Sequence, residues 1–208
     1  MKNHLFIAFE GIDGSGKSTQ ASILAERLKC EGHAVYLTNE PSHGNIGRMI
    51  RTILKGEETL DERAIAALFV ADRLDHILNK NNGMLKQLET EIVICDRYYF
   101  SSYAYHGTHI DMDWVIDANA MSSGILRPDI TLFIDVSPEE SMKRITGNRD
   151  SVELYETLEN LTAVRSKYFE AFEKLKGDEN VMIIDGNREK GEVSEAIWGA
   201  VKKLMPEV

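Results

Sequence analysis

The sequence predicts an α/β fold in which a parallel sheet is covered by helices on both faces. Three observations carry this. Short apolar runs of strand length alternate five times with longer segments of helical periodicity along the 208 residues. The run Glu91 to Cys95 is continuously apolar after its first residue and ends in Asp96-Arg97-Tyr98, which suits a buried parallel strand with charges at its C-terminal end. A glycine-rich loop, Gly11 to Thr19, separates the first apolar run from the first helical segment.

Each element follows in turn. Leu5 to Glu10 is the first strand, and Ser18 to Lys29 is a helix with Ala21, Leu24, Ala25 and Leu28 at helical spacing, stopped by Glu31-Gly32-His33. Ala34 to Thr38 is a β-rich run, and Asn39 to Asn45 is a loop full of breakers. Ile46 to Leu54 is helical, with Arg48 and Arg51 interleaved. Lys55 to Glu58 is a turn, and a long helix runs from Leu60-Asp61-Glu62 to about Leu78. After the Glu91 to Cys95 strand comes an aromatic, Ser-rich stretch, Arg97 to Tyr105. Met112 to Leu126 is a helix broken by Arg127-Pro128, and Asp129 to Val136 is a strand. Pro138 opens a helix that runs to about Ile145, with Glu139 and Glu140 in its first turn. Thr146 to Ser151 is a polar insert, followed by a helix from about Val152 to Lys176. Val181 to Asp185 is the last strand, and Val193 to Leu204 the last helix. With no repeat or linker, residues 1–208 read as one domain carrying a lid insert at about 146–153.

Gly11-Ile12-Asp13-Gly14-Ser15-Gly16-Lys17-Ser18-Thr19 fits the phosphate-loop pattern GxxxxGK[ST], and its strand–loop–helix setting makes it a nucleotide site. A polyphosphate needs many donors at close range. Glycines let successive backbone N–H groups point inward, and the helix start adds unpaired N–H groups and positive dipole. Lys17 puts a charge on the β/γ phosphates, and Ser18 offers a hydroxyl to Mg²⁺.

The net charge of −10, with no basic tail, argues against nucleic acid as a partner. Cys30 and Cys95 lack metal-ligand spacing and read as free thiols in a reducing compartment. No signal peptide is evident and no apolar run approaches membrane-spanning length, so the expected location is cytoplasmic, with no membrane contact. His43, His106 and His109 read as loop or polar-contact residues, and Met112 and Trp114 as core or interface.

An acidic protein that binds anionic nucleotides must gather its cations locally. Four segments do so around the loop: Glu40-Pro41 with Arg48 and Arg51; Phe69-Val70-Ala71-Asp72-Arg73; Asp96 to Tyr105; and Arg127-Pro128-Asp129. Together with the loop they resemble thymidylate kinases, more closely the archaeal and bacterial members than the animal ones, over nearly the whole chain. The resemblance implies a three-layer P-loop NTPase fold on a five-stranded parallel sheet, with a mobile lid. It implies transfer of the γ-phosphate of ATP to dTMP, with Mg²⁺ as cofactor, in a homodimer.

By the same resemblance, Asp13 contacts the deoxyribose 3′-hydroxyl, Phe69 stacks on thymine and Arg73 donates to thymine O4. Arg51 and Arg97 hold the acceptor phosphate, Ser101 belongs to the substrate site, and Tyr105 crowds the sugar's 2′ position. Lys17, Arg97, Asp96 and a lid arginine form the catalytic set, and Ser18 and Asp96 the metal set. Asp13 is followed by uncharged Gly14-Ser15, where animal and yeast members of that family carry a basic residue, so the resemblance assigns that role to the lid, with Arg149 as candidate and Arg144 as alternative. Three positions depart from the family's pattern: Asn39 stands where Arg is common, His106 where Gln is usual, and Leu154-Tyr155-Glu156 replaces Arg-x-Glu. A kinase for another nucleoside monophosphate and a P-loop ATPase switch are the competing readings.

Overall fold

The computed structural model describes residues 4–148 and 157–205. Its five strands are β1 (Phe6–Glu10), β2 (Val35–Asn39), β3 (Ile92–Asp96), β4 (Ile130–Asp135) and β5 (Val181–Asp185), all parallel in the order β2-β3-β1-β4-β5. Among the described residues the helices are α1 (Lys17–Cys30), α2 (Asn45–Leu54), α3 (Glu62–Leu78), α4 (Met84–Gln87), α5 (Tyr99–His106), α6 (Met112–Ile125), α7 (Pro138–Asn148), α8 (Leu158–Lys174) and α9 (Lys190–Lys202).

The central strands separate two apolar layers because successive strand side chains point to opposite faces. Ile7 and Phe9 face Leu24 and Leu28 of α1 and Ile197 and Val201 of α9. Phe6 and Ala8 face the layer that includes α5, α6 and α8, and in it Phe133 meets the rings of Tyr168, Phe169 and Phe172 at 4.8, 5.7 and 5.1 Å.

Register places the site. Phe9 lies opposite Asp96, and Asn39 also pairs with Asp96, so β1, β2 and β3 end side by side. The glycine loop leaves β1 and Arg97 leaves β3 at that shared edge, the carboxyl end where open α/β sheets bind ligands.

Four expectations are corrected. α7 continues through Asn148, so the expected insert begins helical, and Thr146 Oγ1 donates back to Met142 O at 2.9 Å as a helical residue can. The remainder of the insert, 149–153, lies outside the described residues. α8 begins at Leu158 because Thr157 is its N-cap, accepting from Asn160 N at 3.2 Å. α9 begins earlier than Val193, at Lys190. The sequence pattern predicts no element over Arg97 to Tyr105; Tyr99 to His106 is helical and every one of its residues is buried, so it has no polar face to produce a period. The one-turn α4 was also not foreseen, being too short for periodicity.

Cys30 is exposed and Cys95 buried, both free. Met112 is core, whereas Trp114 is 44% exposed. Among the described residues no helix is long and apolar enough to cross a membrane.

Phe133 is closed in by three rings, so Phe133→Ala is expected to cost about 3–5 kcal/mol through lost burial and an unfilled cavity. Denaturant unfolding of the two proteins checks this.

Candidate active site

The phosphate loop is built where only glycine fits. Gly11 has φ 150°, and a Cβ there would lie 2.8 Å from the Ile134 carbonyl oxygen on the neighbouring strand. Gly16, at φ 89°, is the N-cap of α1 and supplies no side-chain cap, which leaves the first-turn N–H groups for a ligand. Lys17 is buried, its ammonium donating to Ile12 O at 3.3 Å and lying 3.7 Å from Asp13 Oδ1. Burial, with Arg97 nearby, pushes the Lys17 pKa down. Ser18 Oγ donates to Asp96 Oδ2, while Asp96 Oδ1 is buried with no partner. Ser15 Oγ, inside the loop, is also buried and unpartnered, and Thr19 is exposed at the start of α1.

Asp13 joins this loop to the end of β3. Arg97 Nη2 donates to Asp13 Oδ1, and Nη1 donates to Gly11 O at 3.3 Å and Ser101 Oγ at 3.1 Å. Tyr105 Oη donates to Asp13 Oδ2 at 2.7 Å and accepts from the Asp13 N–H at 3.1 Å. The Arg97 guanidinium also lies over the Tyr105 ring, 4.9 Å from its centroid. Burial opposes ionisation of Asp13, but the cations of Arg97 and Lys17 overcome it and hold the carboxyl well below the usual range. Asp13, Arg97, Ser101 and Tyr105, four of the expected site residues, therefore form one bonded group.

Beside it lies a second group. Arg73 is 1% exposed and is not a surface cation. Its Nε donates to Glu40 Oε2 at 2.8 Å, Nη2 to Tyr98 O at 3.2 Å and Ser102 Oγ at 3.1 Å, and Nη1 to Asn119 Oδ1. Of five guanidinium N–H groups these partners account for four, leaving one on Nη1. Phe69, one turn earlier on α3, is half-buried, and its ring meets the His106 ring edge-on at 5.0 Å. His106 is buried at the end of α5, correcting its reading as a loop or polar-contact residue, and its Nδ1 has no partner.

The remaining arginines differ in setting. Arg51 is fastened to the loop after β2, donating to Pro41 O at 2.8 Å and Ser42 O at 2.7 Å. Arg144 lies against the phosphate loop: Nη1 donates to Ser15 O at 3.4 Å, Nη2 to Gly186 O at 3.1 Å, and Nε to Glu140 at 3.1 Å. Arg149 lies outside the described residues. Asn39 donates to Pro41 O at 2.9 Å within the same strand-end loop.

The chain that carries this phosphate loop, Phe-x-x-x-Arg helix and buried aromatic helix matches the thymidylate kinase family model over residues 9–197. A protein from Methanococcus aeolicus named probable thymidylate kinase is 40% identical, over 96% of this chain and 95% of its own. One of the same name from Methanocaldococcus jannaschii is 34% identical over 98% and 99%. The chain belongs to the thymidylate kinase family.

Within this thymidylate kinase family site, sequence reasoning missed two residues, Glu10 and Tyr168. Glu10 was read as the end of an apolar run, yet it is a fully buried carboxylate. Tyr168 of α8 donates to it at 2.8 Å. Glu40, which the sequence places among the site segments without a role, holds Arg73. A charged residue closing an apolar strand directly before the loop was the available signal for Glu10; Tyr168 gave none. Glu40, His76 and Cys95 each bring one possible ligand atom within 4.8 Å of the others. His76 nonetheless has both nitrogens engaged, by Thr38 Oγ1 at 2.8 Å and Glu40 Oε1 at 3.3 Å, and Arg73 occupies Glu40 Oε2. This is a hydrogen-bonded support for Arg73 rather than a metal centre.

Burial, with Arg73 and His109 nearby, brings the His106 pKa down from 6.5 to about 3. Between those values the unfolded chain binds a proton that the native one refuses, so this histidine contributes stability that falls as pH drops from 6.5 towards about 3. Denaturant unfolding across that range is expected to show a shallower loss for His106→Gln than for the wild type, and an equal slope would contradict it.

Proposed function

We propose that this protein transfers the γ-phosphate of ATP to dTMP, giving dTDP and ADP. The observation that carries the reading is the Asp13–Arg97–Tyr105 group, which bonds a donor-phosphate loop to α5, the helix that bears Ser101 and Tyr105 of the acceptor side.

The acceptor needs no general base. A phosphate monoester has a second pKa of about 6, so at neutral pH it is mostly a dianion and already a nucleophile. The obstacle is repulsion. Two unit charges 4 Å apart repel by about 4 kcal/mol at an effective dielectric of 20, and the reacting polyanions carry several. Lys17 and Arg97 supply positive charge, with Arg149 from the lid insert and Arg51 on the acceptor side. Arg97 is already bound to the loop backbone, so its charge stands beside the donor-phosphate loop before the nucleotides arrive.

Phe69 is the half-buried ring on which thymine stacks, with Arg73 directing its remaining N–H toward O4 and disfavouring the amino group of cytosine. Asp13 and Tyr105 form the sugar-contacting pair. An unpartnered, buried Asp96 oxygen beside the Ser18 hydroxyl is a hard oxygen donor set that fits Mg²⁺, and these two residues would hold it. When bound, the ion supplies charge neutralisation to the phosphates. The single domain, the lid insert, a cytoplasmic location and a homodimer belong to the same proposal. For the dimer, Trp114 and Met121 stand 44% and 64% exposed on α6, a large apolar display for a lone subunit.

Coupled ADP release with each nucleoside monophosphate in turn is expected to be acceptor-dependent and confined to dTMP and dUMP. The dUMP kcat/KM should be roughly 10- to 200-fold lower, since one methyl group separates the two. Acceptor-independent release would instead mark an ATPase switch. Arg97→Ala is expected to lower kcat by at least about 100-fold. Arg149→Ala should lower kcat more than it weakens dTMP binding, measured by calorimetry beside the assay; the reverse would remove it from the transferring phosphate and leave Arg144 as the candidate.

A further inference from the structure

Glu10 ends β1 immediately before the phosphate loop and has no exposed surface. Its two oxygens have different partners. Oε1 accepts from the backbone N–H of Tyr98 at 2.8 Å and of Ser101 at 3.1 Å. Oε2 accepts from Ser101 Oγ at 2.5 Å and Tyr168 Oη at 2.8 Å. Tyr98 is the N-cap of α5 and brings no side-chain cap, which makes Ser101 the third helical residue. The N–H groups of the N-cap and of that third residue are the two donors a capping box satisfies from within a helix. Here a carboxylate from a neighbouring strand takes both.

Arg97 is the residue just before that cap. Its φ is 70°, in the left-handed region that an L-residue occupies only when its surroundings hold it there. Glu10 fixes the first backbone N–H after Arg97. It also orients the Ser101 hydroxyl that receives Arg97 Nη1 at 3.1 Å. Burial raises the Glu10 pKa, and Ser101, Arg97 and Tyr168 work against that rise. A carboxylate in a desolvated place must have all its lone pairs engaged, as these are.

We propose that Glu10 is a positioning residue for phosphoryl transfer: it caps α5 from outside and thereby sets the Arg97 guanidinium against the phosphate loop. This rests on the assignment of Arg97 to the transferring phosphate. Glu10 is fully buried among its protein partners and acts through Ser101 and Arg97. Through Tyr168 the same carboxylate also anchors α8, so three segments distant in sequence meet on it.

The test compares Glu10→Ala, Glu10→Gln and Arg97→Ala in the full-length protein with ATP, dTMP and Mg²⁺. Gln keeps an oxygen for the two backbone N–H groups and presents an amide to two hydroxyls that can accept as well as donate. Glu10→Ala is expected to lower kcat by about 100-fold, as a small misplacement of a reacting group does, with KM for ATP nearly unchanged. Glu10→Gln is expected to recover kcat to within about tenfold of wild type. Wild-type kcat in Glu10→Ala, or a loss in Glu10→Gln as large as in Arg97→Ala, would overturn the proposal. If Glu10→Ala does not fold, Glu10→Gln against Arg97→Ala decides by the same criterion. Normal turnover in Arg97→Ala would show instead that the assignment of Arg97 had failed.

Discussion

The contact between Asp13 and Arg97 is the one on which the rest of the site depends. It joins a loop that leaves β1 to a residue that leaves β3, and these strands are neighbours with Phe9 opposite Asp96. A parallel sheet thus delivers two backbone ends to one edge, and an ion pair closes the gap. Tyr105 adds a hydroxyl to the same carboxylate, so α5 is bound in as well. In a half-buried setting an unpaired Asp13 or Arg97 would still be costly, so each holds the other in place.

That arrangement answers the difficulty an acidic chain faces in binding two anions. Net charge is −10, yet Lys17, Arg73 and Arg97 are sequestered at one end of the sheet, each against a named carboxylate or carbonyl. Pairing keeps the cations oriented without leaving them uncompensated. Arg73 shows the same device in the thymidylate kinase family's Phe-x-x-x-Arg helix: Glu40, itself supported by His76, fixes the guanidinium while one N–H stays uncommitted.

What could be read from sequence was what is local. The alternation of strands and helices, the glycine loop and the strand-end charges at Asp96-Arg97 each sit within a short window, and each corresponds to an observed element. α5 was not legible because it is buried on every side and its pattern has no polar face. Glu10 was absorbed into an apolar run because its partners, Tyr98, Ser101 and Tyr168, are remote in sequence. Arg73 was expected at the substrate; that Asn119 and Glu40 enclose it depends on packing between α3, α6 and the loop after β2. His106 looked like a loop residue because α5 itself had not been recognised.

The most direct test of the central contact is a double-mutant cycle on kcat/KM for dTMP, using Asp13→Ala, Arg97→Ala and the pair. If the two act as one unit, the double variant will be hardly slower than the worse single one, a coupling on the order of 2–3 kcal/mol. Penalties that simply add would mean that the phosphate loop and the strand-end arginine work independently, and would contradict the account.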